Sequence, residues 1–146
     1  MRYWLMKTEP QTFGLEQLAA APRRTATWDG VRNYQARNML RDDFSRGDQA
    51  FLYHSSCETP GIVAIMDVVR GGHPDPTATD SGDAAQPRWY AVDVRLRRRL
   101  GRTITLADLR AHANRALRGM VLLRPGNRLS VMPVTAAEWK FILSLE

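Results

Sequence analysis

Alternation of apolar and polar residues predicts a chain built mainly of β-strands. Between residues 89 and 100, Val92, Val94 and Leu96 alternate with charged residues, which is the period of two expected for a half-buried strand. Four other apolar segments have the length and composition of strands, and they span residues 3–8, 49–55, 61–69 and 128–134. A short polar loop separates the second and third of these segments, so we expect those two strands to pair.

Helices are predicted where a capping residue precedes an apolar face. Asn33 is a suitable N-cap for a helix over residues 34–43. At Thr105 and at Thr135, a threonine stands three residues before a carboxylate, which is the spacing of a capping box. The remaining predicted helices span residues 15–21, 106–113 and 136–145.

Residues 71–88 are rich in Gly, Pro and Asp and contain no large apolar side chain, so they predict a long exposed loop. The predicted strands do not alternate with long helices, which argues against a doubly wound parallel sheet. We therefore expect an α+β fold, with a small, mixed, partly closed β-barrel flanked by short helices. The length of 146 residues fits a single domain over residues 1–146.

Charge and composition narrow the class of protein further. The chain has 21 Lys and Arg against 15 Asp and Glu, a net charge of +6 and a pI near 10.2. A basic surface favours polyanionic partners through counterion release. A single cysteine, Cys57, excludes a disulfide framework within the chain. No apolar segment has the length of a membrane span or the form of a signal peptide, so we predict a cytoplasmic protein with no membrane partner.

Residues 28–38 combine groups suited to binding a flat, polar heterocycle. Trp28 offers an aromatic face for stacking, and Gly30 lets the backbone approach a ligand or adopt a positive φ. Asn33 can read a base edge, and Arg32 and Arg37 can grip phosphate. The alternative is a turn with a buried Trp that leads into a helix.

Two further groups of residues are candidates for the same pocket. Lys7 and Thr8 end the first strand, where a cation and a hydroxyl can converge on a polar ligand, although a solvated strand end would explain them equally well. Tyr53 and Ser55 share one face of the predicted strand at 49–55 and can line a pocket or a core. His54 is then more simply a buried, hydrogen-bonded structural residue.

A basic stripe is predicted on the long strand at 89–100. Arg95, Arg97 and Arg99 fall on one side of that strand and can contact phosphates, or they can protect a solvated sheet edge from pairing.

The sequence contains no recognisable catalytic signature. It has no Gly-x-Ser-x-Gly elbow and no phosphate-binding glycine loop. No two of its three histidines stand at metal-ligand spacing, so neither a metal site nor a cofactor is predicted. Cys57 follows His54 by three residues, but no third group is evident that would orient a thiol–imidazole pair. We therefore predict no catalytic residue.

The chain closely resembles the EVE domain family of the PUA-like superfamily, and more distantly the YTH domains that clasp a methylated adenine. The motifs that carry this resemblance lie at residues 3–10, 28–38, 47–48, 51–55, 60–63, 89–94 and 128–134. The resemblance implies a mostly antiparallel pseudobarrel with a pocket for a modified nucleobase. Thr8 departs from the family, which often has Ser there, but the hydroxyl is kept. Residues 71–88 also depart from it and leave the identity of the ligand open.

Carried over by motif, the resemblance implies one set of pocket residues and adds to the candidates for phosphate contact. The expected base-binding residues are Lys7, Thr8, Trp28, Gly30, Val31, Asn33, Tyr53, His54 and Ser55. The expected phosphate-contacting residues are Arg32, Arg37, Arg95, Arg97 and Arg99. We expect a non-enzymatic reader of a modified cytosine in DNA. The alternatives are a reader of modified RNA, a small-molecule or protein-interaction module, and an enzyme that acts on a nucleobase.

Overall fold

A computed structural model describes residues 1–78 and 87–146 of the chain. Six strands are present in these ranges: β1 (Tyr3–Thr8), β2 (Thr25–Trp28), β3 (Gln49–His54), β4 (Gly61–Pro74), β5 (Tyr90–Thr105) and β6 (Val131–Val134). Four α-helices accompany them: α1 (Leu15–Ala20), α2 (Tyr34–Asp42), α3 (Leu106–Arg110) and α4 (Ala136–Leu143). Two short 3₁₀ segments span Pro22–Arg24 and Val121–Leu123. None of the helices in the described ranges has the length and apolar character needed to cross a bilayer.

The six strands form one mixed sheet in the order β2-β5-β4-β3-β1-β6. Only the β1–β3 pair is parallel, and the other four pairs are antiparallel. Register shifts interrupt the β3–β4 and β4–β5 ladders, and such bulges bend and twist a sheet. The prediction of an α+β fold with a mixed, mostly antiparallel sheet and short flanking helices is confirmed.

Two apolar cores stabilise the sheet. The first contains Trp4, which stacks on Phe44 with ring centroids 4.0 Å apart and donates its indole N–H to the buried carboxylate of Asp48. The second lies beneath α4, where Trp139 stacks against both Tyr3 and Phe51. Burial of these aromatic surfaces, together with the aliphatic residues around them, supplies the driving force for folding in both cores.

Local capping signals predicted the helix starts correctly. The Asn33 side chain accepts a hydrogen bond from the Ala36 amide at the start of α2. Thr105 and Thr135 form complete capping boxes with Asp108 and Glu138 at the starts of α3 and α4. The predicted end of α3 was wrong, because the helix stops at Arg110 and the chain continues in turns.

The prediction of an exposed loop over residues 71–88 was wrong at its start. Strand β4 continues to Pro74, and both His73 and Asp75 are buried. Gly72 allows this extension, because a Cβ at that position would overlap the Leu40 carbonyl oxygen of α2. Glycines add nothing to an apolar–polar alternation, so the pattern could not reveal the strand. The part of the loop prediction that covers residues 79–86 lies outside the described residues.

Strand β2 was not predicted at all. It has four residues, lies at the edge of the sheet and pairs antiparallel with β5. This short strand matters for the site, because it ends at Trp28.

Candidate functional site

A cavity of about 500 Å³ lies where the end of β1 meets the loop that follows β2. Its walls are formed by Lys7, Thr8, Thr12, Phe13, Thr27, Trp28, Asp29, Gly30, Val31, Arg32 and Ser130. Strands β1 and β2 stand four places apart in the sheet, which would separate them by about 19 Å if the sheet were flat. Because both contribute to one cavity, the sheet must curve strongly, as a pseudobarrel does.

Trp28 belongs both to the cavity wall and to the first core. Its side chain is only 8% exposed, and it is one of the buried residues of that core. Val31 is buried beside it, and Phe13 adds a second aromatic ring to the wall. The Thr8 hydroxyl donates to the Phe13 carbonyl at 2.6 Å and so fixes the loop that presents this ring. The cavity therefore combines aromatic and apolar walls with a few polar groups, as small-ligand sites commonly do.

The loop after Trp28 is held by the buried carboxylate of Asp75. This carboxylate accepts hydrogen bonds from the Gly30 amide and the Arg32 guanidinium, both at 2.9 Å, and from the amide and hydroxyl of Thr77. These donors overcome the effect of burial and lower the pKa of Asp75 to about 2. Gly30 has a φ of +77°, a conformation that glycine adopts without strain. Asp75 thus fixes the shape of the Gly30 turn.

Sequence reasoning missed Asp75, because the residue falls in the segment predicted to be an exposed loop. A local signal was present, since Asp followed two residues later by Thr is typical of a turn in which the carboxylate binds backbone amides. The long-range partners Gly30 and Arg32 could not have been read from that signal, because they lie over 40 residues away in sequence.

Two charged side chains in the cavity wall, Lys7 and Asp29, have no hydrogen-bonding partner in another described residue. Lys7 is half-buried, and burial lowers the pKa of its ammonium group, which lies 5.8 Å from the centre of the Tyr53 ring. Burial raises the pKa of Asp29, and the nearby Asp75 carboxylate raises it further. Within the described residues, neither side chain forms an ion pair or a hydrogen bond with another residue.

Five predicted base-binding residues line the cavity and four do not. Lys7, Thr8, Trp28, Gly30 and Val31 are in its walls. The remaining four residues have other positions. The Asn33 carboxamide caps α2 and borders a second cavity. Tyr53 is packed in the second core.

His54 and Ser55 follow Tyr53 and lie near the cavity rather than in its wall. The His54 ring accepts a hydrogen bond from the Leu15 amide at 3.1 Å, and burial lowers the pKa of this ring. The neutral imidazole of His54 therefore anchors the start of α1. Ser55 borders a groove of about 450 Å³ that shares Lys7, Thr8, Thr12 and Ser130 with the cavity.

Most of the arginines predicted to contact phosphate are engaged within the protein. Arg32 binds Asp75, and Arg37 donates to the Arg88 carbonyl at 2.7 Å while its guanidinium lies over the Tyr34 ring. On β5, Arg97 and Arg99 form ion pairs, with Asp67 and Glu16 respectively.

Arg95 differs from these four arginines. It is exposed and forms no ion pair with any described residue. Contact of all five arginines with phosphate stays a prediction.

The segment at residues 124–130, which the sequence analysis did not predict to contact a ligand, lies beside the cavity. Residues 124–129 of this segment border the second cavity, which has a volume of about 520 Å³, and Arg128 lines both that cavity and the groove at Ser55. Arg128 is exposed, and its guanidinium has no hydrogen-bonding partner among the described residues. The backbone of this segment is tied to the site, since the Lys7 amide donates to the Ser130 carbonyl at 2.7 Å.

The site contains no arrangement that would hold a metal among the described residues. No group of three or more His, Cys, Asp or Glu side chains is suitably placed in residues 1–78 and 87–146. The groups that the cavity does offer are an aromatic face, a small apolar surface, hydroxyls, one ammonium, one guanidinium and one carboxylate. These groups are typical of a binding pocket for a flat, polar molecule.

Comparison with known proteins identifies the family to which a domain with this fold and pocket belongs. The family model described as the EVE domain matches residues 2–145. The chain therefore belongs to the EVE domain family. Thymocyte nuclear protein 1 of Danio rerio is 43% identical over 165 residues, which cover 98% of this chain and 71% of the zebrafish protein.

Solved structures agree with this family membership. The human THYN1 protein, solved in complex with DNA that contains 5-methylcytosine, has a TM-score of 0.91 and 39% identity, covering 99% of this chain and 97% of that one. A protein from Pseudomonas putida has a TM-score of 0.88 and 44% identity, with 98% of each chain covered. An ASCH protein from Zymomonas mobilis, with 8% identity and a TM-score of 0.56, shares the fold alone. None of these proteins is named as an enzyme, and the zebrafish relative is named as a nuclear protein.

Proposed function

We propose that this protein reads a modified cytosine in DNA by accepting the flipped base into the cavity beside Trp28. The observation that carries the proposal is the agreement between this cavity and the family. An aromatic-walled pocket lies in a chain that matches, over 99% of its length, a human relative solved with 5-methylcytosine-containing DNA. The basic charge of the chain suits a polyanionic partner.

The physical chemistry of the cavity fits this role. A base that leaves a duplex loses stacking and pairing worth a few kcal/mol, and the pocket must replace them. Stacking of a base on an aromatic side chain contributes about 1–3 kcal/mol, and Trp28 supplies such a face. A methyl group on the base adds about 0.8 kcal/mol if it is buried, and Val31 and Phe13 offer apolar surface for it.

The proposal is for binding without chemical change. The names of the human and zebrafish relatives are not those of enzymes. The candidate pocket residues can bind a base, but they include no evident nucleophile with an adjacent general base. A cytoplasmic protein, as predicted from the sequence, can reach DNA in a cell that has no nuclear envelope. In a nucleated cell, the name of the vertebrate relatives points to the nucleus instead.

A paired binding measurement tests the function. Two duplexes that differ only in cytosine or 5-methylcytosine at one position are titrated by fluorescence anisotropy, with each oligonucleotide then recovered for mass spectrometry. We expect about fourfold or greater preference for 5-methylcytosine, from the buried methyl group, and intact recovery of the base. The same pair in RNA form tests the RNA alternative.

Trp28→Phe is the matched variant for this measurement. Phenylalanine keeps an aromatic ring in the first core, whereas alanine would leave a destabilising void as well as removing the stacking surface. We expect weaker binding of both duplexes by a folded protein. Equal affinity for cytosine and 5-methylcytosine in the wild type would contradict the proposal. Preference confined to RNA would favour the RNA reader, and release or alteration of the base would favour an enzyme.

A further inference from the structure

We propose that Asp29 reads the exocyclic amino group of the base in the cavity, and so selects cytosine bases over thymine and uracil. This inference rests on the proposed function and adds the residue that sets the choice of base. Asp29 was not among the pocket residues predicted from the sequence. It lies between two of them, Trp28 and Gly30, on the loop that Asp75 fixes.

Asp29 differs from three buried or half-buried carboxylates, Asp48, Asp75 and Asp93, in having acceptor capacity to spare. Asp75 accepts four hydrogen bonds, and Asp48 accepts three, from the amides of Arg2 and Ser45 and from the Trp4 indole. Asp93 accepts from Thr27 and contacts the His73 ring. Asp29 receives no hydrogen bond from any other described residue, although it lines the cavity.

The surroundings of Asp29 leave its carboxylate open to a donor on a bound ligand. Asp29 is exposed at the cavity wall; partial desolvation and the neighbouring Asp75 carboxylate raise its pKa, while its own backbone amide and Arg32 oppose the rise. No other described residue serves as a hydrogen-bonding partner of its carboxylate. A bound N–H donor would supply such a partner. The position is also fixed, because the adjacent Gly30 amide is hydrogen-bonded to Asp75.

Cytosine offers the donor that this carboxylate lacks. Its amino group at N4 donates hydrogen bonds, whereas thymine and uracil have a carbonyl acceptor, O4, at the same position. A carboxylate is an acceptor only, so it attracts the amino group and repels the carbonyl. Lys7, the ammonium in the same cavity wall, is a donor only and suits the acceptors of cytosine, N3 and O2. Of the charged groups in the cavity wall, Asp29 and Lys7 are the two that bind no other described side chain by hydrogen bond or ion pair, and they supply the acceptor and the donor that the cytosine edge requires.

The test uses four oligonucleotide duplexes that separate the methyl group from the base edge. They carry cytosine, 5-methylcytosine, uracil or thymine at one position opposite an abasic site, so that no base loses a pairing partner on entering the cavity. 5-Methylcytosine and thymine share the methyl group and differ at the Watson–Crick edge. We expect the wild type to bind 5-methylcytosine over thymine by on the order of tenfold.

Asp29→Asn should reduce the preference for 5-methylcytosine over thymine without changing the preference for 5-methylcytosine over cytosine. Its amide can turn either a donor or an acceptor toward the base, so we expect the ratio of 5-methylcytosine to thymine binding to fall toward one. The preference for 5-methylcytosine over cytosine should persist. Glu58→Gln is the matched control, because it makes the same charge change at an exposed residue outside the cavity wall. Asp29→Glu, which keeps the charge, should retain part of the discrimination.

The outcomes separate this inference from the proposed function. An Asp29→Asn variant that discriminates 5-methylcytosine from thymine as well as the wild type does would overturn the role of Asp29. An equal reduction in Glu58→Gln would overturn it too, because the effect would then be one of net charge. A wild type that prefers cytosine bases over uracil bases but ignores the methyl group would contradict the modified-base function and leave edge reading in place.

Discussion

At the scale of single residues, the cavity depends on a carboxylate that is not in its wall. Asp75 is buried, and its four hydrogen bonds join the end of β4 to the turn at Gly30 and to Arg32. Hydrogen bonds to a charged acceptor are stronger than those between neutral groups. Removing such an acceptor also leaves its donors without a partner, which lowers the stability of the protein. The shape of the Trp28–Arg32 loop is therefore set from outside the binding surface.

Replacing Asp75 with Asn should destabilise the protein at pH 7 and make its free energy of unfolding less dependent on pH. The pKa of Asp75 is lowered in the folded state to about 2 from 3.8, so its contribution to stability is present above about pH 4 and is lost as the pH falls toward 2. We expect Asp75→Asn to cost about 1–3 kcal/mol at pH 7. Urea unfolding of both proteins at pH 7 and pH 3 measures this.

The variant should also lose less stability than the wild type between those two pH values, because it lacks the titrating group. Asp42→Asn is the control, since Asp42 is exposed and is paired only with Arg41, one residue away. Identical acid sensitivity in Asp75→Asn and the wild type would show that other carboxylates dominate the pH dependence.

At the scale of elements, the close approach of β4 to α2 explains why glycine stands at position 72. A Cβ there would overlap the Leu40 carbonyl oxygen and crowd the backbone of Arg41. This close packing lets β4 run on to Pro74 and so delivers Asp75 to the Gly30 turn. The path of one strand thus connects a helix contact to the site.

Gly72→Ala should therefore be strongly destabilising, because the backbones of β4 and α2 must separate to admit a methyl group. We expect a cost of about 2–3 kcal/mol in the free energy of unfolding. Gly101→Ala is a matched control on β5, where a Cβ would meet only the Glu146 side chain at ordinary contact distance. Equal stability of the two variants in urea would contradict the packing argument.

The same elements show what sequence could and could not predict. Strand β1 and the starts of α2 and α4 were predicted because their signals are local: apolar runs and caps. The short edge strand β2 and the end of β4 lack such a signal. The site follows the same division. Trp28, Gly30 and Val31 are neighbours in one motif, whereas Asp75 and Ser130 reach the site only through the fold.

At the scale of the whole molecule, two groups of basic residues differ in how their charge is balanced. On β5, several arginines form surface ion pairs, so their charge is largely balanced by Asp67, Glu146 and Glu16. Beside the cavity, neither Arg128 nor the half-buried Lys7 has an acidic partner among the described residues. A nucleic acid whose base enters the cavity must pass its backbone over nearby residues, and the groove lined by Lys7, Ser55 and Arg128 adjoins the cavity.

Arg128 should consequently contribute more to the salt dependence of DNA binding than the paired arginines of β5. Removing a side chain that contacts one phosphate lowers the slope of log affinity against log salt by about one. We expect Arg128→Gln to lower it by about that amount and to weaken cytosine and 5-methylcytosine duplexes equally. Arg99→Gln removes the same charge from a residue paired with Glu16, and should have a smaller effect. Anisotropy titrations across a series of salt concentrations measure both slopes. A normal slope in Arg128→Gln, with a reduced one in Arg99→Gln, would show that the DNA backbone follows the β5 stripe instead.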